Sequence, residues 1–282
     1  MNAFSKFSEL IQYGYMQRAI IVGTLVSLCS SLLGVTLVLK KFSMIGDGLS
    51  HVGYGAVAIA LCFSVAPLKI AIPLVLVSAF FLLKISENSK FSGDSAIAVI
   101  SSASLAIGVA VNSLSGGTSA NINSYMFGTI MSIGKDDLVL SIVMLSIVIS
   151  LFIFGFRHIF AISFDENYYR AVGGKAELMN VLIAGATAIT IVTGLKIMGA
   201  MLISGLIVFP ALSAMQNIKS YKGVFIVSGT FSVLAFLLGI FISSVFDMPT
   251  GASIVIVNVA VFIVSYLVKL IRFGIRNAKA KV

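Results

Sequence analysis

Asp47 and His51 are the residues whose types and spacing best suit chemistry. They stand four apart in GDGLSHVGYGAVAIALCF, which runs straight into an apolar stretch. With about 3.6 residues per helical turn, positions i and i+4 share one face, so a carboxylate and an imidazole can point at one ion. An oxygen and nitrogen pair suits manganese, iron or zinc, and the lack of thiolate argues against a soft copper site. An Asp in a bilayer costs about 2.5 to 3.5 kcal/mol, so it is expected to line a polar path or to pair. Two donors are too few for a tight structural site, and a weak site suits transport, where an ion must leave as readily as it enters. The plainer reading is that Asp47 caps the helix and His51 hydrogen-bonds a neighbouring helix. Spacing alone leaves both open. The small residues Gly46, Gly48, Ser50, Gly53, Gly55 and Ala56 permit close helix approach under either.

Other reactive side chains carry less. His158, in FGFRHIF, sits beside Arg157 at the edge of an apolar run and reads as an interfacial anchor. Asp247, in SVFDMPTGA, precedes Pro249 and Gly251, which favours a turn or helix cap over an outer gate or receptor contact. Met198 and Met201 read as packing residues. Cys29 and Cys62 lie inside apolar runs, in neither a metal-ligand nor a redox spacing, and no disulfide is expected. GGKA at 173–176 lacks the upstream Gly and the following Ser or Thr of a phosphate loop, so no ATPase motif is present. No catalytic constellation stands out. The chain does not read as an enzyme.

The elements that must position these residues follow from composition. Of 282 residues, 59% are hydrophobic and 10% charged, with a mean hydropathy of +1.11; a soluble domain carries about a quarter charged residues. The charges divide the chain into charge-free stretches at 19–39, 48–68, 70–83, 95–134, 138–156, 178–195, 197–218, 223–246 and 248–268. Most match the roughly 20 residues a bilayer requires, and each must be helical to satisfy its own backbone. The fold class is therefore all-α, a polytopic integral membrane protein with about eight to nine transmembrane helices in one domain over 1–282. Eight applies if 178–206 forms one long or broken helix. Polar residues from Ser113 to Asn123 should end the fourth span, leaving 125–133 as a short piece that cannot cross.

The net charge of +9 is topology information, since the cations sit in short loops and the tail; nucleic acid is not indicated. With the C-terminus inside, Lys40, Lys41, Lys84, Lys90, Arg157, Arg170, Lys175, Lys219, Lys222 and the five tail cations lie in the cytoplasm. Only Lys6, Arg18, Lys69, Lys135 and Lys196 then lie outside. Residues 1–17 read as an interfacial segment, and no cleaved signal peptide is expected. The longest charged inner segment, 161–177, can hold a short helix across the membrane face, or be an ordinary amphipathic connector.

Three stretches carry a family resemblance over nearly the whole chain: 18–59, which contains GDGLSHVGYG; SFDENYYRAVG at 163–173; and GLKIMGAMLISGLIVFPALSA at 194–214 followed by DMPTGASIV at 247–255. The chain resembles the permease subunits of the zinc, manganese and iron ABC importers. The resemblance implies a second permease subunit, in the simplest case another copy of this chain. It also implies two cytosolic ATP-binding subunits and an extracytoplasmic metal-binding receptor, in the cytoplasmic membrane of a bacterium. It maps a pathway-lining role onto Asp47 and His51, with the divalent metal ion as cargo and no resident cofactor. The ATPase-contacting loop maps onto Phe164, Asp165, Arg170, Ala171 and Gly173. The competing expectation is a secondary transporter or channel that works without ATP.

Overall fold

Each long apolar stretch becomes a helix, because a backbone surrounded by hydrocarbon must satisfy its own N–H and C=O groups. The computed structural model describes residues 7, 9–88, 93–114, 125–128 and 134–279, and among them there is no strand. The helices run in the order α1 (Gly14–Leu39), α2 (Ile45–Cys62), α3 (Pro67–Asn88), α4 (Gly93–Leu114) and α5 (Lys135–Phe164). Then follow α6 (Glu166–Ala171), α7 (Ala176–Met198), α8 (Ala200–Asn217), α9 (Tyr221–Phe246) and α10 (Thr250–Lys279). Eight of them, α1 to α5, α7, α9 and α10, are long and apolar enough to cross a membrane.

The count turns on Gly199. Ser232 of α9 donates to the Ser27 carbonyl oxygen of α1 (2.8 Å), Gly229 packs on Leu28 and Gly23 faces Phe236, so α9 runs antiparallel to α1. So does α7, where Asn180 meets Lys40 and Gly194 packs on Val26. A short turn at 218–220 makes α8 antiparallel to α9, hence parallel to α1 and opposed to α7. The 178–206 stretch is therefore not one helix. It reverses at Gly199 (φ 83), and α8, whose apolar part is Leu202–Asn217, is a shorter ninth apolar helix beside the eight.

Such a tight reversal needs glycine. A Cβ on Gly199 would collide with the Met126 carbonyl oxygen and lie 2.6 Å from Gly128 N, while one on Gly128 (φ 79) would collide with the Ile197 carbonyl oxygen. The helical residues Tyr125–Phe127 and Gly128 are thereby packed against the α7–α8 link. The rest of the expected 125–133 piece and the polar loop at 115–124 lie outside the described residues.

Two element boundaries differ from the expected segments. Gly14 to Gln17 are helical and continuous with α1, and residues 1–6 and 8 lie outside the described residues. The 161–177 connector is shorter than expected, because α5 continues to Phe164 and α7 starts at Ala176. Charge-free length marks where a helix enters hydrocarbon, not where it ends. α1, α2 and α7 form the centre: α1 packs on α5, α7, α8 and α9, and α2 packs on α3, α4, α7 and α8.

Candidate functional site

α2 opens inside the bundle. Its second residue, Gly46, lies against the Ile207 side chain in the middle of α8, so Asp47 stands level with the middle of a crossing helix rather than with its end. Glycines let the neighbours close around it: Cβ atoms on Gly53 and Gly55 would stand 2.8 Å from Leu195 Cδ1 and from the Ser104 carbonyl oxygen. From Ile45 through Ala58 every residue of α2 is buried except two, Asp47 and His51. The one stripe of this segment left uncovered by the subunit is the stripe that carries the carboxylate and the imidazole.

His51 Nε2 lies 3.7 Å from Asp47 Oδ2. That is too long for a hydrogen bond, but two bonds of about 2.1 Å to one ion at a tetrahedral angle span roughly 3.4 Å. The His51 side chain retains 14% of its surface and Asp47 38%. His51 Nδ1 is buried without a hydrogen-bond partner, so the expected bond to a neighbouring helix is not made. Asp47 lies in the first turn, where a carboxylate complements the helix dipole, yet Met44 is the N-cap and no side chain caps the helix. Among the described residues no three His, Cys, Asp or Glu gather into a metal cluster. The chain offers two donors facing outward.

The second expected group lies on the cation-rich side. Asp165 breaks the helical path between α5 and α6 (φ −150) and caps α6, accepting from Tyr168 N at 2.9 Å. α6 buries only Tyr169, whose hydroxyl shares a hydrogen bond with His158 Nδ1 at 2.9 Å and whose ring lies over Gly174. Exposed Phe164, Tyr168 and Val172 flank it, together with Arg170 and Ala171, and Gly173 turns the chain at φ 84 with open space around it. His158 thus braces α6 through Tyr169.

Spacing missed Lys40, Glu166 and Asn180. Lys40 Nζ donates to Glu166 Oε2 at 3.1 Å and to Asn180 Oδ1, and Arg170 Nη2 donates to Glu166 Oε1 at 2.8 Å. Burial pushes the Glu166 carboxyl up, but the Arg170 hydrogen bond, the Lys40 charge and hydrogen bond and the Asn180 amide outweigh it and hold the group below its ordinary value. No local pattern joins positions 126 and 140 residues apart; the one available signal was a lysine at the end of an apolar span.

Asp247, on the opposite side, is the left-handed C-cap of α9 (φ 52), as a turn former should be. Nearby, Lys196 at the end of α7 pairs with Asp137 at the start of α5, and Asp137 also accepts from Gly134 N at 2.9 Å.

Comparison with known proteins gives a consistent result. A "Probable metal transport system membrane protein" of Thermotoga maritima is 29% identical over 259 residues, covering 92% of each chain. The "Manganese import system permease protein ScaB" of Streptococcus gordonii is 27% identical, covering 92% of this chain and 93% of that protein. The solved structure "PsaBC from Streptococcus pneumoniae in complex with Fab" superposes with a TM-score of 0.83 at 26% identity, over 93% of this chain and 94% of its own. The ABC 3 transport family matches residues 12–269, and the chain belongs to that family.

Proposed function

We propose that the chain is the membrane permease subunit of an ABC importer that moves a divalent transition-metal ion, manganese, iron or zinc, inward past Asp47 and His51. The observation that carries this reading is the uncovered stripe of α2: from Ile45 to Ala58 the helix is buried except for a carboxylate and an imidazole, 3.7 Å apart. Manganese and metal transport in the names of similar proteins point the same way. Oxygen and nitrogen donors fit such ions.

The stripe faces out of the subunit, so a second permease subunit, in the simplest case another copy, completes the path. Two cytosolic ATP-binding subunits supply the drive, since the chain shows no phosphate loop. Their contact is the exposed surface of Phe164, Asp165, Arg170, Ala171 and Gly173, an apolar and cationic patch of the kind that marks a docking face. An extracytoplasmic receptor delivers the ion to the face that holds Asp247. The complex resides in the cytoplasmic membrane of a bacterium.

The test is metal uptake in proteoliposomes holding the purified complex, with ATP hydrolysis assayed in parallel. Asp47→Ala and His51→Ala should each abolish ATP-dependent uptake with assembly intact. Unchanged uptake in both removes the site, and uptake without ATP in the native complex replaces the importer with a secondary transporter.

A further inference from the structure

One polar cluster, apart from the Asp47–His51 stripe, joins three helices at the inner side. Lys40 follows the last residue of α1, Glu166 opens α6 and Asn180 lies in the second turn of α7. The Lys40 side chain keeps only 7% of its surface and reaches both Glu166 and Asn180. Asn180 Nδ2 in turn donates to Glu166 Oε1 at 3.1 Å. A buried ammonium without its carboxylate is strongly disfavoured, so Lys40 must follow Glu166 wherever α6 goes.

From Lys40 to α2 the backbone has little slack. Lys40 N donates to Thr36 O (3.0 Å), Lys41 N to Val38 O (3.1 Å) and Phe42 N to Leu37 O (2.8 Å), with Lys41 held at φ 60. Ile45 N then donates to Phe42 O (3.1 Å) and Gly48 N to Met44 O (3.1 Å), which brackets Asp47. A displacement of Lys40 is therefore passed to the first turn of α2 rather than absorbed in a loose loop.

We propose that Lys40 is a positioning residue that couples α6 to the Asp47–His51 stripe, held to α6 by Glu166 and to α7 by Asn180. This rests on the reading of α6 as the ATPase-facing helix. Spatial intermediacy is not by itself coupling. What the proposal requires is that loss of the link separates ATP hydrolysis from ion movement.

The experiment measures metal ions moved per ATP hydrolysed by the full complex in proteoliposomes, for the native chain, Lys40→Met, Glu166→Gln and the double variant. Each single variant should lower the ratio on the order of five-fold or more while hydrolysis continues, and the double variant should lose no more than the worse single one. If Lys40→Met does not assemble, Glu166→Gln, at a partly exposed side chain, decides by the same ratio. An unchanged ratio, or losses that multiply as independent effects, overturns the proposal. A native complex without ATP-dependent uptake instead overturns the importer reading, and the proposal with it.

Discussion

Gly34 of α1 and Ile207 of α8 meet backbone to backbone: a Cβ on Gly34 would collide with the Ile207 carbonyl oxygen and lie 2.9 Å from its carbon. Because the obstacle is main chain, no rotamer change relieves it. Gly34→Ala should force α1 and α8 apart and cost about 1 to 3 kcal/mol, seen as a lower unfolding temperature in detergent. Gly185→Ala is the control, since its nearest neighbour is Leu76 Cδ2 at 3.8 Å; it should be neutral or stabilise the helix by up to about 1 kcal/mol. Equal losses in the two would show that α1 and α8 do not pack this closely.

The two cysteines report topology. Cys29 is buried and points at the Leu145 carbonyl oxygen, whereas Cys62 ends α2 and is exposed. With the cation-rich side inside, Cys62 faces the exterior. A membrane-impermeant maleimide added to intact cells should label the native chain and not Cys62→Ser. Labelling that appears only after permeabilisation would invert the orientation.

Tyr169→Phe removes the hydroxyl that meets His158 and leaves the ring in place, so α6 should be held less firmly by about 0.5 to 1.5 kcal/mol. Amide hydrogen exchange over 166–174 should quicken accordingly. Gly174→Ala should quicken it further, because its Cβ would lie 2.5 Å from the Tyr169 ring. No change in either variant would mean that α6 is fixed by other contacts.

The depressed Glu166 carboxyl gives the inner cluster a pH signature. A group whose folded pKa lies below its unfolded value contributes stability above the unfolded value and loses it as pH falls through the folded one. The clamp on α6 is therefore fully present at pH 7 and releases only in acid below the ordinary carboxyl value of 4.5. Hydrogen exchange of 166–174 followed from pH 7 downward, corrected for intrinsic rates, should show no release until that range. Release near pH 6 would assign the clamp to a different group.

Much of the fold was legible because a bilayer enforces simple rules. The apolar runs around Val26, Leu145 and Phe236 could be nothing but helices. Asp47 and His51 were legible because i and i+4 on a helix need no tertiary knowledge. Helix ends were not: Phe160 and Phe164 extend α5 past its last apolar run because they pack on Tyr221, a residue of α9. Nor was the depth of Asp47, which depends on where α8 crosses α2. The Lys40–Glu166–Asn180 cluster was invisible for the same reason, since its members meet only once three helices have assembled.

The crossing of Gly128 and Gly199 constrains what mutation can do here. Each glycine is confined by the other segment's main-chain atoms, which are the same for every residue type. A larger side chain at either position therefore cannot be accommodated by shrinking a side chain elsewhere. A selection for second-site suppressors of a Gly199 substitution should return revertants to glycine, or changes that dismantle the α7–α8 reversal, and no compensating partner at 126, 127 or 128.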